Sequence, residues 1–227
     1  YRVFVLSKHF HIITKLSILF WSNPSQRDKA TSHNMPASKL SDLLIPRIQT
    51  ERLVVTLLRP SFAELMVRFR QENRGHLGPW EPLRTPQFYT ASFWQAQLQA
   101  NLIDFSRGES CSFVMMNPAE NQILGVINFT QITRGTMQSC QLGYALGGAF
   151  EGQGYMQEGV SAAIQHVFTD LKLHRIMANY IPHNGRSARL LARLGFEVEG
   201  RARSFLKING QWADHILTAL INPDSNL

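Results

Sequence analysis

Cysteine is nearly absent from this chain. Cys111 and Cys140 are the only two. They lie far apart and match no metal-ligand spacing, so a disulfide framework and a zinc site are both unexpected. Two such thiols fit burial in a reducing, cytoplasmic compartment. The histidines are scattered without an H-E-x-x-H pattern, so no metal is expected. Lysine is missing after the glycines: Gly154 runs into Tyr155 and Met156, which excludes a P-loop. A dinucleotide fingerprint is missing too. Gly152-Gln153-Gly154 has no third glycine in place, and the next expected strand ends at Asn179-Tyr180 rather than at an acid. No long apolar run is unbroken, because Lys8, His9, His11 and Lys15 interrupt Val3 to Trp21. That argues against a membrane span, and no small-residue cleavage site follows to make a signal peptide. There is no internal repeat and no low-complexity tract.

Charge of both signs is present but unevenly placed. Of the formal +7, residues 1–34 contribute +4. This segment begins with Tyr1, carries no domain-like periodicity, and precedes Met35, a natural starting point. Residues 1–44 are therefore read as an N-terminal extension and 45–224 as one domain. Within the domain Arg186, Arg189, Arg193, Arg201, Arg203 and Lys207 cluster late. Such a cluster suits a solvated face, cofactor phosphates, or a ribosome or RNA contact.

The most informative stretch runs from Gln141 to Leu171. Leu142 to Leu146 is a short apolar run, and Gly147, Gly148, Gly152 and Gly154 crowd the turn after it. Met156, Val160, Ala163, Ile164, Val167, Phe168 and Leu171 then mark one face of a helix. Glycines at a strand-to-helix turn let backbone N–H groups reach an anion, and the helix dipole adds to the attraction. The same glycines would also serve a tight turn that merely packs helix on sheet.

Before this stretch the pattern predicts a strand over Ile48 to Leu58, a helix with Phe62, Leu65, Met66 and Phe69 inward, and a proline-braced loop from Asn73 to Pro86. That loop presents Trp80 and Glu81, either as a substrate wall or as a connector whose tryptophan fills the core. A helix over Thr90 to Phe105 follows, with Phe93, Leu98, Leu102 and Phe105 inward, then strands Cys111 to Met116, Ile123 to Ile132 and one ending at Leu146. After the central helix come a strand Arg175 to Ile181 and a short helix capped by Asn184 and ended by Gly195. The final strands are joined by an Asn209-Gly210 hairpin turn.

This order, with Gly152 and Gly154 before the third helix, resembles the GNAT superfamily of acetyl-CoA-dependent N-acetyltransferases. Ala149 departs from the leading Gln or Arg of that superfamily's glycine motif, whereas Asn184-Gly185-Arg186-Ser187 and Leu194-Gly195-Phe196 match its later segments. Thr50-Glu51-Arg52-Leu53, Pro79-Trp80-Glu81-Pro82, Leu190 to Phe196 and Asn209-Gly210-Gln211-Trp212 are similar to the Rim group, which acetylates N-termini of bacterial ribosomal proteins. The resemblance implies a mixed α/β (α+β) fold. It would have a mostly antiparallel twisted sheet of about seven strands, flanked by four helices and splayed between the fourth and fifth strands.

It also implies acetyl-CoA as cosubstrate, no metal, and a protein N-terminus as acceptor, an alanine-starting small-subunit ribosomal protein above others. The cofactor would lie along Gly143, Tyr144, Ala145 and Leu146, with its pyrophosphate at Gly152, Gln153, Gly154, Tyr155 and Met156. Asn179, Asn184 and Ser187 would complete its site. Trp80, Glu81 and Asn128 would bind the acceptor. The attacking amine must be neutral, which at pH 7 costs roughly 1.2 kcal/mol for an α-amine and roughly 4.6 for a lysine. A modest base therefore suffices: Glu81 first, with Asp214 and His215 next. Ser187 would protonate the leaving thiolate, or else satisfy amides at its helix start; Tyr155 and Tyr180 are alternative donors. A monomer or homodimer without membrane attachment is expected. Two other readings stay open: an acetyltransferase for small amines such as antibiotics, and a non-catalytic, ribosome-associated or cofactor-sensing protein of the same fold.

Overall fold

The computed structural model describes residues 43–224, so nearly all of the extension read over residues 1–44 lies outside the described residues. Eight strands form one open sheet in the order β1-β2-β3-β4-β5-β6-β8-β7. They are β1 Arg47–Gln49, β2 Val54–Leu57, β3 Cys111–Met116, β4 Ile123–Thr133, β5 Ser139–Leu146, β6 Arg175–Tyr180, β7 Glu197–Ile208 and β8 Gln211–Ile221. The helices are α1 Ala63–Glu72, α2 Arg74–Leu77, α3 Ala91–Ser106, α4 Tyr155–Thr169 and α5 Gly185–Arg193.

Strand alternation divides the core between two faces. Phe113, Met115, Ile127 and Phe129 pack with Val160, Ala163 and Val167 of α4 and Leu191 of α5. Val114, Met116 and Val126 point the other way, to Met66 and Phe69 of α1 and Trp94 and Leu98 of α3. The expected stripe of α4 is the buried one, from Met156 through Val167. Gly159 lets α4 approach closely, since a Cβ there would meet the Met115 sulfur at 2.3 Å.

The sheet has one strand more than expected, because the first strand folds on itself. Thr50 and Leu53 close the turn, the Thr50 N–H donating to the Leu53 carbonyl at 2.9 Å, and β1 pairs antiparallel with β2. At the other end β7 is continuous through two irregularities in its pairing with β8, where the sequence pattern suggests a break near Gly200. The 73–86 segment also holds more structure than a plain loop, with α2 and 3₁₀ turns at Gly78–Trp80 and Pro86–Tyr89. In α1 the buried set is Ala63, Met66, Val67, Phe69 and Arg70, and Phe62 is left 45% exposed. In α3 Trp94 is buried, its indole N–H donating to the Phe88 carbonyl at 2.8 Å.

β5 and β6 are parallel neighbours, whereas every other adjacent pair is antiparallel. Their pairing runs from Ser139–Arg175 to Leu142–Ala178 and stops. β5 continues along β4 as far as Leu146, opposite Gly125, and β6 continues along β8 to Tyr180, opposite Ile216. The sheet therefore parts between these two strands over its last few residues.

Candidate active site

The parting of β5 and β6 is the centre of the site. Beyond Leu142, the side of β5 facing β6 has no ladder partner, so backbone groups along Gly143, Tyr144, Ala145 and Leu146 are available to something inserted there. Gly143 sits opposite Asn128 of β4, and a Cβ on Gly143 would touch nothing within 4 Å. Room thus exists beside the half-buried Asn128. Asn179 continues β6 on the far bank, paired with Leu217 of β8.

At the upper end of β5 the chain turns into α4. Gly152 and Gly154 both take left-handed φ, 75° and 82°, which side chains adopt only with strain. Gly154 is the N-cap and has no side chain to cap with. The first amides of α4, at Tyr155, Met156 and Gln157, have no partner one turn earlier by the geometry of a helix start. They form an open anion cradle, with the helix dipole behind it. A Cβ on Gly152 would meet nothing within 4 Å, so the turn presents bare backbone. Backbone donors at such a helix start suit an anionic group.

Residues distant in sequence brace the cradle. The Arg52 guanidinium donates to Glu158 Oε2 at 2.7 Å and to the Gln153 carbonyl at 2.9 Å, and it covers the Tyr155 ring at 4.5 Å. Glu158 Oε1 also accepts from the Thr50 hydroxyl at 2.6 Å and the Arg52 N–H at 2.9 Å. Burial alone would push the Glu158 carboxyl up, but these donors outweigh it and hold it below the usual carboxylate range. On the opposite side, buried Asn73 accepts from the Gly148 N–H at 2.9 Å and donates to the Phe69 carbonyl at 2.8 Å, fixing the turn to the end of α1. Glu151 accepts from Arg186 of α5 at 3.0 Å. The sequence signals for these braces are weak, because the partners lie far apart along the chain.

The start of α5 closes the other bank. The Asn184 side chain caps the helix, its oxygen accepting from the Ser187 N–H at 3.1 Å. Ser187 is thereby relieved of a capping role. Its hydroxyl instead meets the Tyr144 hydroxyl of β5, across the parting. Burial pushes the Tyr144 phenol up to about 12, with Ser187 pulling the other way. Tyr144 therefore keeps its proton near neutral pH. Trp80 reaches over the same region, its ring 5.6 Å from that of His183 just before Asn184.

The carboxylates read as bases are otherwise engaged. Glu81 is buried; one oxygen accepts from Arg70 at 2.9 Å and the other faces Arg84 at 3.5 Å. Its carbonyl accepts from the Asn209 N–H at 2.9 Å, tying the loop to the β7–β8 hairpin. A carboxylate so clamped bolts the loop to α1 and to the hairpin. Asp214 accepts from the Ser204 N–H at 2.8 Å and from Arg201 at 2.7 Å. These bonds, the Ser204 N–H foremost, hold its carboxyl below the usual range, which weakens it as a base. His215 differs. It is buried, burial pushes its imidazole pKa down, and its Nδ1 faces the Ala213 carbonyl at 3.1 Å. That contact puts the proton on Nδ1 and leaves the lone pair on Nε2.

A parted parallel pair with a backbone anion cradle at its end defines a site for a long cosubstrate that carries a pyrophosphate. The model of the acetyltransferase (GNAT) domain matches residues 52–197, and the chain belongs to that family. It is an N-acetyltransferase. The [ribosomal protein uS5]-alanine N-acetyltransferase of Escherichia coli (strain K12) is 46% identical over 178 residues, 78% of this chain and 92% of that protein. The ribosomal-protein-S5-alanine acetyltransferase of Vibrio fischeri superposes with a TM-score of 0.77 at 37% identity, covering 80% of this chain and all of that one. Mycobacterium smegmatis RimJ, solved in complex with a CoA-disulfide, superposes with a TM-score of 0.71 at 26% identity, over 81% of this chain and 89% of that one.

Proposed function

We propose that this enzyme transfers the acetyl group of acetyl-CoA to the α-amino group of an alanine-starting small-subunit ribosomal protein. The observation that carries the reaction is the end of β5–β6 pairing at Leu142–Ala178, beside an uncapped helix start. Likeness to the two alanine acetyltransferases supports the acceptor, and the CoA held by the mycobacterial relative supports the cosubstrate. Acetyl-CoA supplies the activated thioester.

The chain's residues then have separable tasks. Gly152 to Met156 hold the pyrophosphate, with Asn179, Asn184 and the β6-facing backbone of Gly143 to Leu146 along the rest of the cofactor. An N–H of that stretch of β5 stabilises the oxyanion as the amine attacks. Asn128 and Trp80 orient the acceptor. The amine proton leaves through His215 Nε2, whose neutral imidazole is a competent acceptor; the α-amine asks for little more. The Tyr144–Ser187 hydroxyl pair gives a proton to the departing thiolate. Arg186, Arg189 and Arg193 lie on the exposed surface of α5 and would suit contact with a ribosomal surface.

A panel of peptides differing only in the first residue, with CoA release as readout, tests this reading. Alanine should lead by kcat/KM. Preference for a free small amine over every peptide would favour the small-amine alternative, and acetyl-CoA binding without turnover would favour a non-catalytic role.

A further inference from the structure

A cavity of mixed polar and apolar lining lies beside the acceptor wall. It encloses about 150 Å³ between α1, the 78–84 segment, the turn at Pro86–Tyr89 and the tip of the β7–β8 hairpin. Arg70, Arg74 and Arg84 line it, and Glu81 is the one carboxylate among its lining residues. Three guanidinium groups thus share one lining with a single carboxylate, whose two oxygens face Arg70 and Arg84. Arg70 is 6% exposed, and its buried Nε has no hydrogen-bond partner. The Arg70 guanidinium packs against the rings of Phe69, Phe88 and Trp94, 5.4–5.5 Å from their centres, so it adds charge behind the cavity wall and offers no free donor to it. Burial brings the Arg84 guanidinium down to about 10, against the pull of Glu81 and with the push of Arg70. Aromatic rings hold the guanidiniums in place: Arg84 lies 4.3 Å from the centre of Phe88 and Arg74 4.8 Å from that of Tyr89. The cavity therefore presents the exposed Arg74 guanidinium, stacked on Tyr89, beside an Arg70–Glu81–Arg84 cluster in which two guanidiniums face one carboxylate; a planar fork held beside excess positive charge recognises a carboxylate.

We propose that this cavity is a subsite for a carboxylate on the acceptor polypeptide, an Asp or Glu side chain a few residues beyond its N-terminus. The inference rests on the acceptor reading above. Its volume suits a carboxyl group with one or two methylenes. Its position suits the same occupant, because the segment that walls it also carries Trp80 across to His183. A nucleic-acid phosphate is the competing anion. The apolar lining residues Leu77, Pro82 and Leu83 favour a polypeptide side chain.

The test uses ten-residue, alanine-starting peptides with one Glu at each of positions 3 to 7 in a Gln background. At one or two positions the Glu peptide should exceed its Gln counterpart about tenfold in kcat/KM, chiefly through KM. Exposed Arg74 gives a variant that folds, confirmed by its melting temperature. Arg74→Gln should bring the Glu-to-Gln ratio near one, and Arg74→Lys should retain part of it. Ratios near one at every position in the wild type, or a ratio that survives Arg74→Gln, would overturn the subsite. Should no peptide be acetylated, the acceptor reading fails, and anisotropy with labelled Glu and Gln peptides decides the subsite alone. Equal affinities overturn it, and tighter Glu binding that Arg74→Gln abolishes upholds it. A short RNA that binds this cavity in an Arg74-dependent manner, with Glu and Gln peptides binding equally, would replace the carboxylate by a phosphate.

Discussion

Replacing Glu158 by Ala should loosen the pyrophosphate cradle without touching the chemistry. Glu158 accepts three kinds of bond at the start of α4: the Thr50 hydroxyl, the Arg52 N–H and the Arg52 guanidinium. Arg52 in turn holds the Gln153 carbonyl, within the turn itself. Bonds to a charged group contribute about 1.5–3 kcal/mol each when buried, and partly exposed ion pairs far less. With the Arg52 side chain 41% exposed and that of Glu158 19% exposed, solvent screens the ion pair, and the bonds that Thr50 and the Arg52 N–H give to Glu158 Oε1 carry most of the bracing. Loosening Gly152 to Tyr155 should weaken CoA binding by about tenfold, the scale of one lost hydrogen bond of about 1.4 kcal/mol, with kcat nearly unchanged. Glu158→Gln keeps an oxygen for Thr50 and the Arg52 N–H and should weaken binding only severalfold. Calorimetric titration with CoA reads both. The native carboxyl is held below its ordinary pKa, so its contribution is present above about pH 4.3 and is lost as pH falls through the lower native value. The stability gap between wild type and Glu158→Gln should therefore be flat from neutral pH to about 5 and narrow below about 4. Unchanged CoA affinity in Glu158→Ala would refute the bracing role. Tighter binding would mean that Glu158 draws Arg52 away from the phosphates.

Three further substitutions separate the assigned roles. Glu81→Gln leaves Arg70 and Arg84 without their buried counter-charge, so it should cost about 3–5 kcal/mol and lower the melting temperature by roughly 6–20 °C. At a temperature where the variant is folded, any rate deficit should be constant from pH 6.5 to 9; a deficit that shrinks as pH rises would restore Glu81 as the base. Ser187→Ala should lower kcat by about 10²–10⁴-fold with CoA affinity nearly intact, and Tyr144→Phe should add little to it, because the two hydroxyls act as one unit; full additivity in a double-mutant cycle would separate them. Gly154→Asp places a side chain and a negative charge at a left-handed N-cap, and should abolish CoA binding while the protein still unfolds cooperatively.

What the sequence could reveal was set by how locally each feature is encoded. The α4 stripe repeats every turn, Gly152 and Gly154 are residues that tolerate φ near 80°, and Asn184 caps a helix three residues from the amide it accepts. Asn209-Gly210 marks its hairpin with positive φ at both residues. Each of these is written within a few residues. The partners of the site are not. Glu158 meets Thr50 and Arg52 across more than a hundred residues, and Tyr144 meets Ser187 across forty-three. Nothing adjacent to Glu81 in the sequence announces that it is buried against Arg70. Arg70 does fall on the α1 stripe with Ala63, Met66 and Val67, so an arginine at a core position was the available sign. The β1–β2 turn at Thr50 lacks Gly, Pro, Asn and Asp, the residues by which turns are usually read, and so the first strand looked continuous.

The central claim is transfer to an α-amine across the parted β5–β6 pair. An alanine-starting peptide with an internal lysine, incubated with enzyme and acetyl-CoA and sequenced by tandem mass spectrometry, tests it most directly. A single acetyl group on the N-terminal alanine, lost with Gly154→Asp, is the predicted result. Acetyl on the lysine, or no transfer by an enzyme that binds CoA, would contradict it.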